Sequence, residues 1–510
     1  MRLFFLLACL GAWLGFANPL AHAPVLVLLL PLGTAGIGLR AGRAGRAMRL
    51  GWLAGTLAYA GSLYWVALPV HDYGYLPWFL AAPCPVALGA WCGLFTGLFA
   101  LCMHAGRDLS APARALLAAS AWASLEALRA WLCTGFPWIP LASAFSPWTF
   151  AVQGAALVGA EGLSGLYAGL AALCLTGGGA VVRPWRRPGL VAAGLLALIW
   201  LGGLTALGME SPAPATATKG TAVVGIVQGN VDQSLKWDTA YQEATVDRYV
   251  TMTGELSRRA APDLVVWPET AMPFYLQEPG LLASRVKNLA RTRAVALIAG
   301  APAYRFAGQD TALLTNRAFL VGPDGELAGA YDKAHLVPFG EYVPMERFLP
   351  FVDKLVQAAG DFVPGNDPSP LRAGKVSAGM LICYETIFPA LPQERVALGA
   401  NLLVNISNDA WFGRSSAPVQ HLHMSILRAV EQGRWLVRST NTGISAVIDD
   451  KGRIVTSGGL FRAETLSARV GLCTNLTPYH RVRPWLLGAL AALTVLLAAP
   501  GLFRTRARRP

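Results

Sequence analysis

The chain has 510 residues, room for two or three domains, of which 54% are hydrophobic and 14% charged. About a quarter of the residues of a soluble protein are charged, so this composition excludes an ordinary soluble enzyme and predicts a chain embedded at least partly in a membrane. The net charge of +13 sits in Arg clusters at the ends of apolar segments, which excludes a polyanion-binding groove and leaves no nucleic-acid partner.

Apolar segments run at 3–17, 24–39, 50–70, 77–104, 114–133, 148–178, 188–207 and 484–503. A span needs about 20 apolar residues. The first two segments are short and require local bilayer thinning. Eight spans are predicted, and the first has a rival reading as a secretory signal peptide, with Arg2, an apolar core and Ala21-His22-Ala23.

If that first segment is retained, every Arg cluster alternates onto one face. The clusters are Arg2; Arg40, Arg43, Arg46 and Arg49; Arg107 and Arg114; Arg183, Arg186 and Arg187; and Arg504, Arg506, Arg508 and Arg509. The opposite loops, near 18–23, 68–77 and 134–147, contain no Lys or Arg. The positive-inside rule then places both termini in the cytoplasm and 208–483 outside it. Arg481 and Arg483 run against the rule and are outweighed by the cluster after the last helix. Glu126 and Arg129, at i and i+3 in the fifth span, read either as a structural pair or as a headgroup-facing one.

After a Pro- and Ala-rich linker at 211–216 the character changes. Short β-rich runs appear at 222–227, 263–267, 295–299, 317–321, 378–382, 402–406 and 444–448, with helical stretches at 239–260, 280–292 and 421–432. Gly322-Pro-Asp-Gly325 and Asp449-Asp-Lys-Gly452 are hairpin turns. Strands alternating with helices predict a layered α/β domain. The chain shows neither a CxxC pair nor Cys/His metal spacing, so no metal and no cofactor is expected.

Reactive groups end several of these strands. Asp263-Leu-Val-Val-Trp-Pro-Glu269 ends on a carboxylate, Lys333 and Glu341 follow the first hairpin, and the run 378–382 delivers Cys383. A lone cysteine also reads as a small buried hydrophobe. As a nucleophile it needs a base and a cation for the developing oxyanion, which Glu269 and Lys333 can supply without a histidine.

The outer segment resembles the carbon–nitrogen hydrolase (nitrilase) superfamily, with its Glu-Lys-Cys triad on an α-β-β-α sandwich. More narrowly, the whole chain resembles the apolipoprotein N-acyltransferase family. The matching motifs are V-Q-G-N at 227–230 with Lys236-Trp237, W-P-E-T at 267–270, and Y-x-K-x-H-L-V-P-F-G-E-Y-V-P at 331–344. They continue with I-C-Y-E at 382–385, S-N-D-A-W-F-G at 407–413 and T-N-T-G at 440–443. Gly433-Arg-Trp435 and Ala417-Pro418 depart from the family pattern.

The resemblance implies Glu269 as general base, Lys333 as stabiliser of the tetrahedral intermediate and Cys383 as acylated nucleophile. Trp237, Glu341, Tyr384 and Glu385 match supporting positions, although Trp237 also reads as packing and Glu341 as a loop anchor. It implies seven spans in 1–207, a periplasmic catalytic domain at 208–483, an eighth span at 484–503 and a basic cytoplasmic tail at 504–510, all in the bacterial inner membrane. The implied partners are a membrane phospholipid as acyl donor and a diacylglyceryl apolipoprotein as acceptor. The alternative is a membrane-anchored nitrilase-type amidase; a transporter is disfavoured by the scarcity of charge in the spans. The aromatic-rich stretch 342–364 reads as a lipid-guiding lid or as an ordinary packed arm.

Overall fold

The computed structural model describes residues 1–175, 187–208, 218–233, 236, 238–307, 311–343 and 362–507. The predicted site residue Trp237 and most of the predicted lid, 344–361, lie outside the described residues.

The N-terminal part is helical. Among the described residues four helices are long and apolar enough to cross a membrane: Trp78–Asp108, Ala155–Leu173, Pro188–Gly208 and Pro478–Gly501. The bent pair Ala44–Ser62 and Tyr64–Asp72, turning by 64°, brings the number to five. Of the eight predicted spans, the first two are helices too short to pass that test, Arg2–Gly15 and Pro24–Arg40. The fifth is the helix Ala111–Arg129, which carries Arg114, Glu126 and Arg129. Close helix contact here rests on small residues. A Cβ on Gly93 would lie 2.6 Å from the Thr56 backbone nitrogen, so the helix Cys84–Ala105 could not approach Ala44–Ser62 with a larger residue there.

The described residues of 218–473 form two six-stranded sheets. The strands are β1 Thr218–Gln228, β2 Leu264–Val266, β3 Ala296–Ala307, β4 Thr311–Val321, β5 Leu327–Asp332, β6 Leu371–Ala373, β7 Val376–Ile382, β8 Leu402–Ser407, β9 Leu436–Thr440, β10 Ala446–Ile448, β11 Ile454–Ser457 and β12 Glu464–Cys473. The orders are β12-β1-β2-β3-β4-β5 and β11-β10-β9-β8-β7-β6. Each sheet has three parallel strands at its heart, β1-β2-β3 and β7-β8-β9, flanked by antiparallel neighbours. Both predicted hairpin turns join strands, β4 to β5 and β10 to β11. Strands buried on both faces read as continuous apolar runs, and β7, Val-Ser-Ala-Gly-Met-Leu-Ile, is buried throughout.

Side chains of the two sheets meet in one core that includes Val224, Ile298, Met380, Val404 and Val437. The outer face of the first sheet packs on helices Thr239–Ala260 and Leu281–Arg293 through Val246, Leu256, Val286 and Leu289. The outer face of the second packs on Ala390–Ala397 and Ala417–Gln432 through Val396, Leu422 and Ile426. The result is the predicted α-β-β-α sandwich. Asp238 caps the first of these helices by accepting a 2.9 Å bond from Ala240 N, which satisfies one otherwise orphan donor. At the two departures from the family pattern, Pro418 occupies the first turn of Ala417–Gln432 and Gly433 ends that helix in the left-handed conformation.

The helical part and the sandwich share a core. Ile387, Phe388, Met424, Leu427 and Val430 cluster with Trp65, Trp122, Trp138 and Leu163 of the helices.

Candidate active site

The site lies where the carboxyl ends of β2, β5 and β7 converge, so each sheet contributes. β2 runs into Trp267-Pro268-Glu269, and Trp267 N is pinned to Ile298 O at 2.8 Å. β3 passes so closely that a Cβ on Gly300 would sit 2.7 Å from Glu269 Cα, so a glycine is required beside the carboxylate. Lys333 follows β5, and its backbone N bonds Asn316 O on β4 at 2.8 Å. Cys383 opens a 3-10 turn directly after β7 with φ +53, a left-handed backbone uncommon outside glycine that turns the thiol off the strand line.

Lys333 and its carboxylates are almost completely buried. Its Nζ lies 2.9 Å from Glu341 Oε1 and 3.4 Å from Glu269 Oε1. Burial opposes the ammonium charge, but Glu341 and then Glu269 outweigh it and raise the lysine above its ordinary value. Asn316 donates to both carboxylates, at 2.7 Å to Glu269 and 2.9 Å to Glu341. The second oxygen of Glu341 accepts from Val337 N at 2.8 Å, whereas Glu269 Oε2 is buried without a hydrogen-bond partner among the described residues. One carboxylate is therefore fully engaged, and the other keeps a free lone pair for a proton. Burial raises the Cys383 thiol first, the Glu269 carboxylate raises it further, and Lys333 acts in the opposite sense. A thiol held toward its neutral form thus shares the site with a carboxylate that has an open oxygen, an arrangement suited to deprotonation coupled with attack.

The supporting positions differ from one another. Glu385 is fully buried and accepts from Ile382 N at 2.6 Å, Ala334 N at 2.7 Å, His335 N at 3.0 Å and Tyr331 OH at 2.8 Å. It ties the end of β7 to the loop after Lys333 and so helps fix Cys383 relative to Lys333. Tyr384 points toward the helical part, donating to Gly135 O at 3.1 Å. Its ring stands edge-on to Phe388, with centroids 5.0 Å apart.

Other contributors carried no chemical signature in the sequence. Lys236, in a matched motif, is buried and donates to Glu269 O at 3.5 Å, and burial lowers its ammonium to about 8. Asn316 lies in an otherwise ordinary strand. The T-N-T-G motif turns out to be structural: Asn441 bonds Val231 in both directions, at 2.9 and 2.8 Å, locking the end of β1 onto the end of β9. Glu126 and Arg129 are both buried in the helical part, and no salt bridge joins them among the described residues. Glu126 accepts from Trp122 Nε1 at 2.9 Å and Leu141 N at 2.8 Å, while Arg129 donates to Trp138 O at 3.3 Å.

Residues 223–474 match the carbon-nitrogen hydrolase family, and residues 8–173 match the apolipoprotein N-acyltransferase N-terminal domain. An apolipoprotein N-acyltransferase of Geobacter metallireducens is 40% identical over 467 residues, covering 89% of this chain and 87% of the relative. The chain belongs to the apolipoprotein N-acyltransferase family. Another member, from Azotobacter vinelandii, is 38% identical and covers 97% of this chain and 94% of its own. A third, from Caulobacter vibrioides, is 35% identical over 97% of this chain and 93% of its own. This apolipoprotein N-acyltransferase family member is thus a membrane-associated acyltransferase on a carbon–nitrogen hydrolase fold, and the amidase alternative is set aside.

Proposed function

We propose that the protein transfers an acyl chain from a membrane phospholipid to the N-terminal diacylglyceryl-cysteine of an apolipoprotein, through a thioester on Cys383. Glu269 takes the thiol proton as sulfur attacks the ester carbonyl. The tetrahedral oxyanion forms beside the Lys333 ammonium. The C–O bond then breaks, and the lysophospholipid alkoxide leaves with the proton from Glu269. In the second half the α-amino group attacks the thioester and gives its proton to Glu269; the C–S bond breaks, an amide forms and the thiol is restored. The observation that carries this reading is the buried Lys333 held between Glu341 and a half-free Glu269, with Cys383 within the field of Lys333 and Glu269. The lipid nature of both substrates fits a site whose nucleophile turn packs on the helical part through Ile387 and Phe388.

For the topology we propose eight spans in the inner membrane, seven within 1–207 and the last at 484–503, with cytoplasmic termini, a basic tail at 504–510 and the 208–483 domain in the periplasm. The alternation of Arg clusters supports this. Arg2–Gly15, Pro24–Arg40 and Ala111–Arg129 would complete the set beside the longer helices.

Intact-mass measurement of wild type and Cys383→Ala purified from membranes tests the chemistry. A hydroxylamine-labile, acyl-sized adduct is expected on the wild type alone. If quenched turnover with phospholipid yields no adduct, the thioester is wrong.

A further inference from the structure

Below the nucleophile lies a second buried polar cluster with no part in the proton transfers above. Asp409, His421, Arg438 and Asn405 are all 0–1% exposed. Arg438 donates to Asp409 Oδ2 at 2.7 Å, to His421 Nδ1 at 2.9 Å and to Asn405 Oδ1. Ser407 Oγ donates to Asp409 Oδ1 at 2.8 Å, and His421 Nδ1 lies 3.1 Å from the same oxygen. Two members then converge on one atom outside the cluster, the backbone oxygen of Cys383, with His421 Nε2 at 3.2 Å and Asn405 Nδ2 at 3.4 Å.

The chemistry of the ring fixes the direction of that bond. With Nδ1 accepting from Arg438, the imidazole proton is on Nε2 and points at the Cys383 carbonyl. A proton on Nδ1 alone would set the Nε2 lone pair against the carbonyl oxygen. Burial, and then Arg438, keep the ring below its ordinary basicity, so the neutral ring persists. Burial pushes the Asp409 carboxyl up, but Arg438 outweighs it and holds it below the carboxylate range. Buried ionic groups are costly to assemble, and here they surround the peptide that follows the nucleophile.

That peptide is planar and trans, so its N–H points opposite to its C=O. Holding the Cys383 carbonyl toward His421 and Asn405 therefore aims the Tyr384 N–H away from them. From the other side, Tyr384 is anchored by its hydroxyl on Gly135 O at 3.1 Å. A backbone N–H just after a nucleophile is well placed to receive the oxyanion formed on attack. We propose that His421, oriented by Asp409 and Arg438, is a positioning residue that holds the Cys383–Tyr384 peptide so that the Tyr384 N–H joins Lys333 in stabilising the tetrahedral intermediate. This rests on the thioester reading of Cys383.

The test compares two reactions of the same thiol in the full-length protein in phospholipid vesicles. Acylation by phospholipid passes through an oxyanion, whereas alkylation by iodoacetamide does not. In His421→Leu the acylation rate is expected to fall about 10²-fold, with alkylation and the phospholipid concentration at half-saturation held at wild-type values. His421→Gln, whose side-chain N–H reaches the position of Nε2, is expected to recover most of the loss. If His421→Leu does not accumulate folded, His421→Asn replaces it, because its amide is too short to reach the Cys383 carbonyl. Wild-type acylation rates in these variants overturn the proposal. So does a parallel fall in acylation and alkylation, or a failure of His421→Gln to recover activity. A wild-type protein that forms no adduct on Cys383 overturns the thioester itself, and that is read from the wild-type arm alone.

Discussion

Lys333 sits closer to Glu341 than to the candidate base: its Nζ is 2.9 Å from Glu341 Oε1 and 3.4 Å from Glu269 Oε1. Glu341 thereby offsets much of the lysine charge. Truncating one partner of a buried, hydrogen-bonded pair leaves the other charge uncompensated.

Glu341→Gln is accordingly expected to slow acyl-enzyme formation by about 10²-fold, in line with the loss of one organising electrostatic contact. Lys333 would turn fully to Glu269 and occupy it. Single-turnover acylation followed by quench and mass analysis measures this. An unchanged rate would show that Glu341 only anchors its loop through Val337 N.

Glu385 is a tie between strands, and its removal is a stability experiment. Glu385→Ala strips the acceptor from three backbone N–H groups, those of Ile382, Ala334 and His335. Each buried donor left unsatisfied costs about 1–3 kcal/mol. The variant is expected to lose several kcal/mol and to melt well below wild type, with Glu385→Gln intermediate. Thermal unfolding in detergent reads the difference, and a wild-type melting temperature for Glu385→Ala would refute the tie.

The buried Lys236 gives a pH dependence of known sign. Burial lowers its ammonium from the ordinary 10.5 to about 8. Below pH 8 the lysine is charged in both folded and unfolded chains, and the folded state bears the whole penalty. Between pH 8 and 10.5 the unfolded chain binds the proton that the folded chain has released, so folded stability rises with pH across that window. Wild type should therefore gain up to ~3 kcal/mol relative to Lys236→Met over that interval. Parallel pH profiles of stability for the two proteins would refute it.

Gln420 latches the sandwich to the helical part. Its Oε1 accepts from Trp65 Nε1 at 3.0 Å and Trp138 Nε1 at 2.9 Å, and its Nε2 donates to Ala17 O at 3.0 Å and Ser62 O at 3.1 Å. Gln420→Leu leaves two indole N–H groups and two carbonyls unpaired, at about 1–3 kcal/mol for each buried group. A lower melting temperature in detergent is expected. An unchanged one would mean that apolar packing alone seats the two parts.

The sequence by itself determined the division between an apolar helical part and a layered α/β part. It also determined the strands that present Glu269, Lys333 and Cys383, because apolar runs, hairpin turns and motif order are local properties of the chain. Only the tertiary structure decided which neighbours complete the site. Asn316 on β4 bridges two carboxylates 47 and 25 residues away, and His421 reaches the Cys383 carbonyl from 38 residues on. These partners are selected by how two sheets face each other and how one helix lies across a strand end, and hydrophobic periodicity does not encode that. The same holds for Glu126 and Arg129. Their i, i+3 spacing allowed a pair, and indole, backbone amide and carbonyl groups from neighbouring segments offered hydrogen bonds that the helix alone could not.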